Sequence, residues 1–338
     1  MSEILMRVDN LTKHYDVGKK EKLKAVNNVS FTIHTGETFG LVGESGSGKS
    51  TIAKLIMRLE KPTEGKIFLG DTNLLELKSR NLLKARRDLQ MVFQNPFDAL
   101  NRRKRVRDII SLPLKVHTSL NEKEREVRVI ELLGLVGLRP EMIERFPHEI
   151  SGGQCQRVGI ARAIALNPKM LILDESVSAV DVSIQAQILN LLRELQEKLN
   201  LTYLFISHDL SIVRYMSHKI AVLYQGEIAE FGTRENLFSN PVHPYTHTLM
   251  NSIPDPFHEK SGKVSEIGTG DESIDKVSTG CSFRSRCAIG AQKEICMSIN
   301  PGLTPNTSAH ELVACHFPTT SSEYAQALKS LTQSAGWY

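Results

Sequence analysis

No apolar run in the 338-residue sequence approaches the ~18 residues that a bilayer-spanning helix needs. A charged-then-apolar leader is missing too, since the chain opens Met1-Ser2-Glu3-Ile4. A cytosolic or peripheral membrane protein is therefore expected, any spanning parts belonging to other chains. Neither sign of charge is in large excess: the net +4 does not by itself imply nucleic acid. Cysteine is nearly absent before position 280, where only Cys155 occurs. The remaining four cluster in the tail, which in a reducing compartment suggests metal rather than disulfides. What remains is ordinary globular composition, 41% hydrophobic and 24% charged. The length allows one large α/β domain plus something smaller.

Against that background Gly43-Glu44-Ser45-Gly46-Ser47-Gly48-Lys49-Ser50 stands out, since it fits G-x-x-x-x-G-K-[ST]. Thr38 to Val42 before it reads as a buried strand. Ser50 to Leu59 after it reads as a helix, with Ile52, Leu55, Ile56 and Leu59 on one face. The glycines let successive N–H groups turn toward phosphate oxygens, and the helix start adds partial positive charge. Lys49 would reach the β- and γ-phosphates, and the Ser50 hydroxyl would ligate Mg²⁺. Thr51 completes the candidate nucleotide-binding stretch. The loop implies a nucleoside triphosphate and nothing more specific.

The flanking chain narrows the reading. Leu5–Val8 and Val26–Ile33 read as opening strands, and Tyr15 between them is either a half-buried strand residue or a stacking platform for a purine. Leu89–Phe93 is a further buried strand. It ends in Gln94-Asn95-Pro96, so the Gln94 amide is either solvated or placed to coordinate Mg²⁺ or orient a water. Asn101–Arg107 carries five basic residues in seven without interleaved aromatics, which favours a solvated or partner-facing surface over a nucleic-acid patch. Val129, Leu132, Leu133 and Val136 recur at helical spacing, so 95–150 reads as a mostly helical insertion. Ser151-Gly152-Gly153-Gln154 then opens a helix and offers a second anion site. Met170–Leu173 is an apolar strand ending in Asp174-Glu175, a costly burial that Mg²⁺ would explain. Asp174 would support the metal, and Glu175 would face an attacking water as base or polarising group. Ser178-Ala179-Val180-Asp181 follows. Thr202–Ser207 is another strand, and His208 ends it. Ile220–Tyr224 and Glu227–Glu230 form a hairpin about Gln225-Gly226, followed by a short helix at 235–238, a second one ending near Pro254, and a polar linker over 255–280.

The order phosphate loop, Gln94, Ser151–Gln154, Asp174-Glu175, His208 resembles the ABC ATPases. The resemblance implies an α/β fold: an ABC-type P-loop NTPase core with an antiparallel β subdomain and a helical subdomain. It makes Ser151–Gln154 the signature that meets a partner's ATP, Asp181 part of the D-loop that contacts the other subunit, and His208 the switch histidine on the γ-phosphate. Asn240-Pro241-Val242-His243-Pro244-Tyr245-Thr246 and Gly280-Cys281 with the later cysteines resemble the oligopeptide/dipeptide importer ATPases. Met91–Pro96 and Pro147-His148 are closer to the F-type subunit. Ile150, Ser176-Val177 and Arg102 depart from the usual pattern, and none removes a group that touches phosphate or metal.

That family implies a second ATPase subunit, two transmembrane permeases, an extracytoplasmic binding protein, no nucleic acid, and a place on the cytoplasmic face of the membrane. Relatives serving nickel or metal-chelate uptake give one alternative, and a soluble non-transport ABC ATPase another. The expected division is an ATPase domain over 1–254, with its helical subdomain about 95–165, and an extension over 255–338. Cys281, Cys287, Cys296 and Cys315 are spaced C-x5-C-x8-C-x18-C, which is no zinc-finger spacing. Four thiolates suit an iron–sulfur cluster. Similar tails in the family carry [4Fe–4S], with Zn²⁺ or four reduced thiols as the other options. Cys155 reads as a free small residue.

Overall fold

The computed structural model describes residues 3–18, 22–95, 99–176, 181–251, 279–306 and 311–334. The chain forms two compact units. The first holds Met1–His14, Asn28–Phe39 and Ser50–Ser207; the second holds Tyr15–Asn27, Gly40–Lys49 and His208–Tyr338.

Strands β1 (Ile4–Asp16), β2 (Lys22–His34) and β3 (Thr38–Val42) open the chain, and helix α1 (Lys49–Ile56) follows the phosphate loop. The sequence suggests two shorter opening strands, yet β1 continues past Val8. Asn10 takes φ +49°, the register shifts between Asp9 and Thr12, and Leu11 is fully buried. Asparagine tolerates this left-handed backbone, so the strand bulges instead of ending. Helix α1 stops before Leu59. Arg58 adopts φ +50°, the Leu59 amide turns back to the Lys54 carbonyl, and Leu59 is exposed while Ile52, Leu55 and Ile56 are buried. Leu59 thus leaves the apolar face that helical spacing assigns to it.

In the first unit β4 (Glu64–Leu69) pairs antiparallel with β1, and β5 (Thr72–Asn73) with β4, in the order β2-β1-β4-β5. Helix α2 (Ser79–Asp88) leads to a parallel set: β6 (Leu89–Val92), then, later in the chain, β7 (Met170–Asp174) and β8 (Thr202–Ser207), with Leu89 opposite Met170 and Met170 opposite Thr202. Every residue of β7 and β8 is buried. Unbroken apolar runs are what a strand covered on both faces requires, and each buried Leu or Ile contributes roughly 1.5–3 kcal/mol.

Between β6 and β7 lie α3 (Val106–His117), α4 (Glu122–Leu135) and α5 (Gly152–Ile164). Asn121 and Glu124 form a capping box at the start of α4, and Val129, Leu132, Leu133 and Val136 are all fully buried. The basic run is partly neutralised within this unit, because Arg105 and Arg107 both pair with Glu144. Helix α6 (Val182–Leu199) lies between β7 and β8 in sequence. Among the described residues no helix is long and apolar enough to cross a membrane.

In the second unit α7 (Leu210–Met216) precedes β9 (Lys219–Tyr224) and β10 (Glu227–Thr233), which pair across a two-residue turn. Gln225 and Gly226 there take φ +43° and +83°, the backbone of a tight hairpin. Helices α8 (Arg234–Ser239) and α9 (Pro244–Asn251) follow. The expected linker lies almost wholly outside the described residues. The tail adds α10 (Glu294–Ser298), β11 (Thr304–Pro305), β12 (Leu312–Val313) and α11 (Ser321–Ser334). β12 pairs with β10, Glu230 opposite Val313.

Candidate functional site: phosphate loop, carboxylate edge and four-thiol cavity

The phosphate loop of the second unit is held by the β9–β10 turn and by its own lysine. The Gly226 amide donates to the Ser47 carbonyl at 2.9 Å. Lys49 is 4% exposed, and its Nζ lies 2.8 Å from the Gly43 carbonyl, 2.7 Å from that of Glu44 and 3.3 Å from Ser47 Oγ. Gly48 takes φ +106°, and a Cβ there would come 2.3 Å from the Ala25 carbonyl oxygen. Gly48→Ala is therefore expected to destabilise the fold by about 1–3 kcal/mol. Comparing thermal melts of the two proteins checks this, and an unchanged midpoint would refute it.

At the carboxylate edge of the first unit, β7 delivers Asp174, whose Oδ1 accepts a hydrogen bond from Ser50 Oγ at 3.0 Å. The hydroxyl and carboxylate assigned to Mg²⁺ thus meet. Glu175 follows with φ +44°, its amide donating to the Ile206 carbonyl at 2.9 Å. Such a conformation costs about 1–3 kcal/mol in a residue with a long side chain, and it turns Glu175 out of the strand. Gln94 Nε2 donates to Glu175 Oε2 at 2.6 Å. Gln94, Ser50, Asp174 and Glu175 accordingly form one connected set.

The remaining expected residues fall on local features of their own. Tyr15 lies near the end of β1, and His208 directly follows β8 and is exposed. Ser151 caps α5: its Oγ accepts from the Gln154 amide at 3.3 Å, while Gln154 Oε1 accepts from the Ser151 amide at 3.0 Å. Gly153 is buried, and a Cβ there would meet Ile184 at 2.6 Å. Residues 178–180 of the D-loop stretch lie outside the described residues; Asp181 is the N-cap of α6.

Cys281, Cys287, Cys296 and Cys315 line one cavity together with His243, Phe283 and Gly290. At Gly290 a Cβ would come 2.8 Å from Cys296 Sγ and 3.6 Å from Cys287 Sγ, so the missing side chain leaves room for the sulfurs. Burial first, and neighbouring thiols next, push Cys315 up to about 12, while burial pushes Cys281 up to about 11. Among the described residues no group of three or more His, Cys, Asp or Glu is placed to hold a metal ion. Cys155 sits apart, fully buried, its thiol 3.4 Å from the Pro147 carbonyl and raised to about 11 by burial.

Two family profiles match the chain: "ABC transporter" over residues 26–178, and "Oligopeptide/dipeptide transporter, C-terminal region" over 229–296. The putative oligopeptide transport ATP-binding protein YkfD of Bacillus subtilis is 46% identical over 320 residues, covering 92% of this chain and 95% of that protein. The chain belongs to the oligopeptide/dipeptide transport ATP-binding proteins of the ABC transporter family. The dipeptide transport ATP-binding protein DppF of Lactococcus lactis is 50% identical over 255 residues, covering 75% and 82% of the two chains. A solved dimeric ATP-binding cassette, MJ0796 bound to ADP and Pi, is 33% identical with a TM-score of 0.62, over 68% of this chain and 98% of that one. The fold is that of an ABC ATPase cassette, with mixed α/β layers and an antiparallel sheet.

Within this family setting the tail motif has a physical role that sequence spacing did not disclose. Glu230 is 5% exposed, and its carboxylate accepts the Val242 and His243 amides, each at 3.0 Å. Burial raises its pKa, and hydrogen bonds from Thr246, His243 and Val242 oppose the rise. His243 Nδ1 accepts the Tyr245 amide at 3.0 Å, and the Tyr245 hydroxyl accepts the Glu44 amide at 2.9 Å. The Asn240–Thr246 motif flags this region in the sequence, but the partners of its side chains become visible only in three dimensions.

Proposed function

We propose that this chain is one of two ATPases that power import of short peptides, working head-to-tail with a second ATPase beneath two permeases and an extracytoplasmic binding protein. The carrying observation is the C-terminal match to the oligopeptide/dipeptide transporter region, on the same chain as the cassette. It favours peptide over metal-chelate cargo. ATP would sit between this subunit's Gly43–Thr51 and the partner's signature, while Ser151–Gln154 would complete the partner's site. Ser50, Asp174 and Gln94 would hold Mg²⁺; Glu175 and His208 would act on water and γ-phosphate; Tyr15 would stack on the base. Hydrolysis removes the phosphate bridging the two subunits, and the dimer opens. That shift is limited by how much better ATP binds the closed state. The place of work is the cytoplasmic face of the membrane, and the chain divides at about residue 254 into ATPase and extension. The test is gentle isolation of the tagged chain from its own membranes with mass spectrometry of what accompanies it. Two multi-spanning permeases and a second ATPase are expected; a ribosome or DNA would overturn the reading.

The four thiols would hold a [4Fe–4S] cluster. Four sulfur donors lining one cavity are the ligand set that such a cluster takes, with Zn²⁺ as the alternative. Bound iron would supply the positive charge that lets these thiols ionise. Full-length chain purified without oxygen is expected to contain roughly four iron and four sulfide per chain. Cys287→Ser is expected to lose most of both. Zinc in their place, or no metal, would refute the cluster.

A further inference from the structure

Arg286 immediately precedes Cys287, and it points away from the four-thiol cavity toward the phosphate loop. Its Nη1 and Nη2 donate to Glu44 Oε2 and Oε1 at 2.7 and 2.8 Å, a two-pronged clasp. The guanidinium also lies 5.9 Å from the Tyr224 ring centre and 5.8 Å from that of Phe283. Phe283 is buried against Tyr224, Tyr245 and His243, with ring centres 5.2, 5.4 and 5.8 Å apart. Tyr245 in turn accepts the Glu44 amide. One residue of the phosphate loop is therefore gripped twice from the C-terminal part of the chain, by its carboxylate and by its amide.

Exposed ion pairs usually contribute little, and this one is partly exposed. Its geometry differs from the usual case: both prongs are short, the fork is planar, and aromatic rings restrict its motion. Its position matters more. Glu44 is the one acidic residue in Gly43–Ser50, a loop whose amides and Lys49 serve to attract an anion. An unmasked carboxylate there would repel the polyphosphate.

We infer that Arg286 is a positioning residue for ATP binding: by masking and orienting Glu44, it makes the loop's affinity depend on the folded four-cysteine tail. This rests on the ATPase reading above and adds a connection between two regions that the family motifs treat separately. No transfer of electrons is involved; the tail acts by holding one guanidinium in place.

The test is a mutant cycle on the full chain, read as the ATP dissociation constant by equilibrium dialysis with Mg²⁺, beside kcat, KM and a thermal melt. Arg286→Gln is expected to weaken ATP binding about five- to tenfold, with the loss appearing in KM rather than kcat. Arg286→Lys, which keeps charge and loses the fork, should fall between. The decisive variant adds Glu44→Gln to Arg286→Gln. With the carboxylate gone, affinity should return to within about twofold of wild type, because there is no charge left to mask. Unchanged affinity in Arg286→Gln overturns the inference. So does an undiminished loss in the double variant, since Arg286 would then act only through the tail's fold. Should Arg286→Gln melt below the assay temperature, Arg286→Lys with and without Glu44→Gln carries the same comparison. A wild-type chain that binds no ATP refutes the ATPase reading before any variant is made, and the inference with it.

Discussion

Glu175→Gln is expected to lower kcat for ATP hydrolysis about 10²- to 10⁴-fold while ATP still binds, the range a positioned base typically contributes. The substitution keeps the shape of the side chain, and its amide oxygen can still accept from Gln94, 2.6 Å away in the native pair. What it removes is the negative charge that would draw a proton from the attacking water. The strained φ of +44° puts that charge beyond the end of β7, one residue after the Asp174–Ser50 contact. Under the proposed roles, metal support and water activation would fall to these two adjacent residues. Phosphate release at saturating ATP, with the dissociation constant measured in parallel, checks the split. A variant that hydrolyses at near wild-type rate would remove Glu175 from its assigned role. A variant that loses binding equally would show that the carboxylate mainly shapes the site.

Much of this arrangement was legible because its causes are local in sequence. Gly48 must be glycine where φ is +106° and the Ala25 carbonyl crowds the position, and the spacing to Lys49 and Ser50 is fixed by one turn of chain. The β7 and β8 runs announce strands covered on both faces, and the spacing of Val129, Leu132, Leu133 and Val136 announces a helix. What stayed hidden depends on partners distant in the chain. Glu44 and Arg286 are 242 residues apart, and nothing local in the sequence links them. Arg105 and Arg107 read as a bare basic patch until Glu144 supplies their counter-charge. Leu59 fits the helical period of α1, but backbone conformation at Arg58 ends the helix first. Periodicity reports which residues want burial; it does not report where the chain turns.

Lys49→Ala should fail at an earlier step than Glu175→Gln, by losing ATP itself. The ammonium is nearly inaccessible and is aimed by three oxygens of its own loop, two carbonyls and the Ser47 hydroxyl. Alanine removes the one full positive charge among the residues from Gly43 to Ser50, and leaves those carbonyls without their shared donor. A charge-assisted hydrogen bond contributes about 1.5–3 kcal/mol, so losing two to the β- and γ-phosphates weakens ATP binding by about 10²-fold or more. Turnover should fall with it. Equilibrium dialysis with Mg²⁺ and ATP reads the first effect directly, and phosphate release reads the second. If Lys49→Ala kept wild-type affinity, the polyphosphate would have to be held by backbone amides and the helix start alone, and Lys49 would be a strut of the loop. If it loses affinity while Glu175→Gln keeps it, binding and bond breaking are separable on this chain. Only a subunit that holds ATP before cleaving it can use nucleotide to close a dimer and hydrolysis to open it.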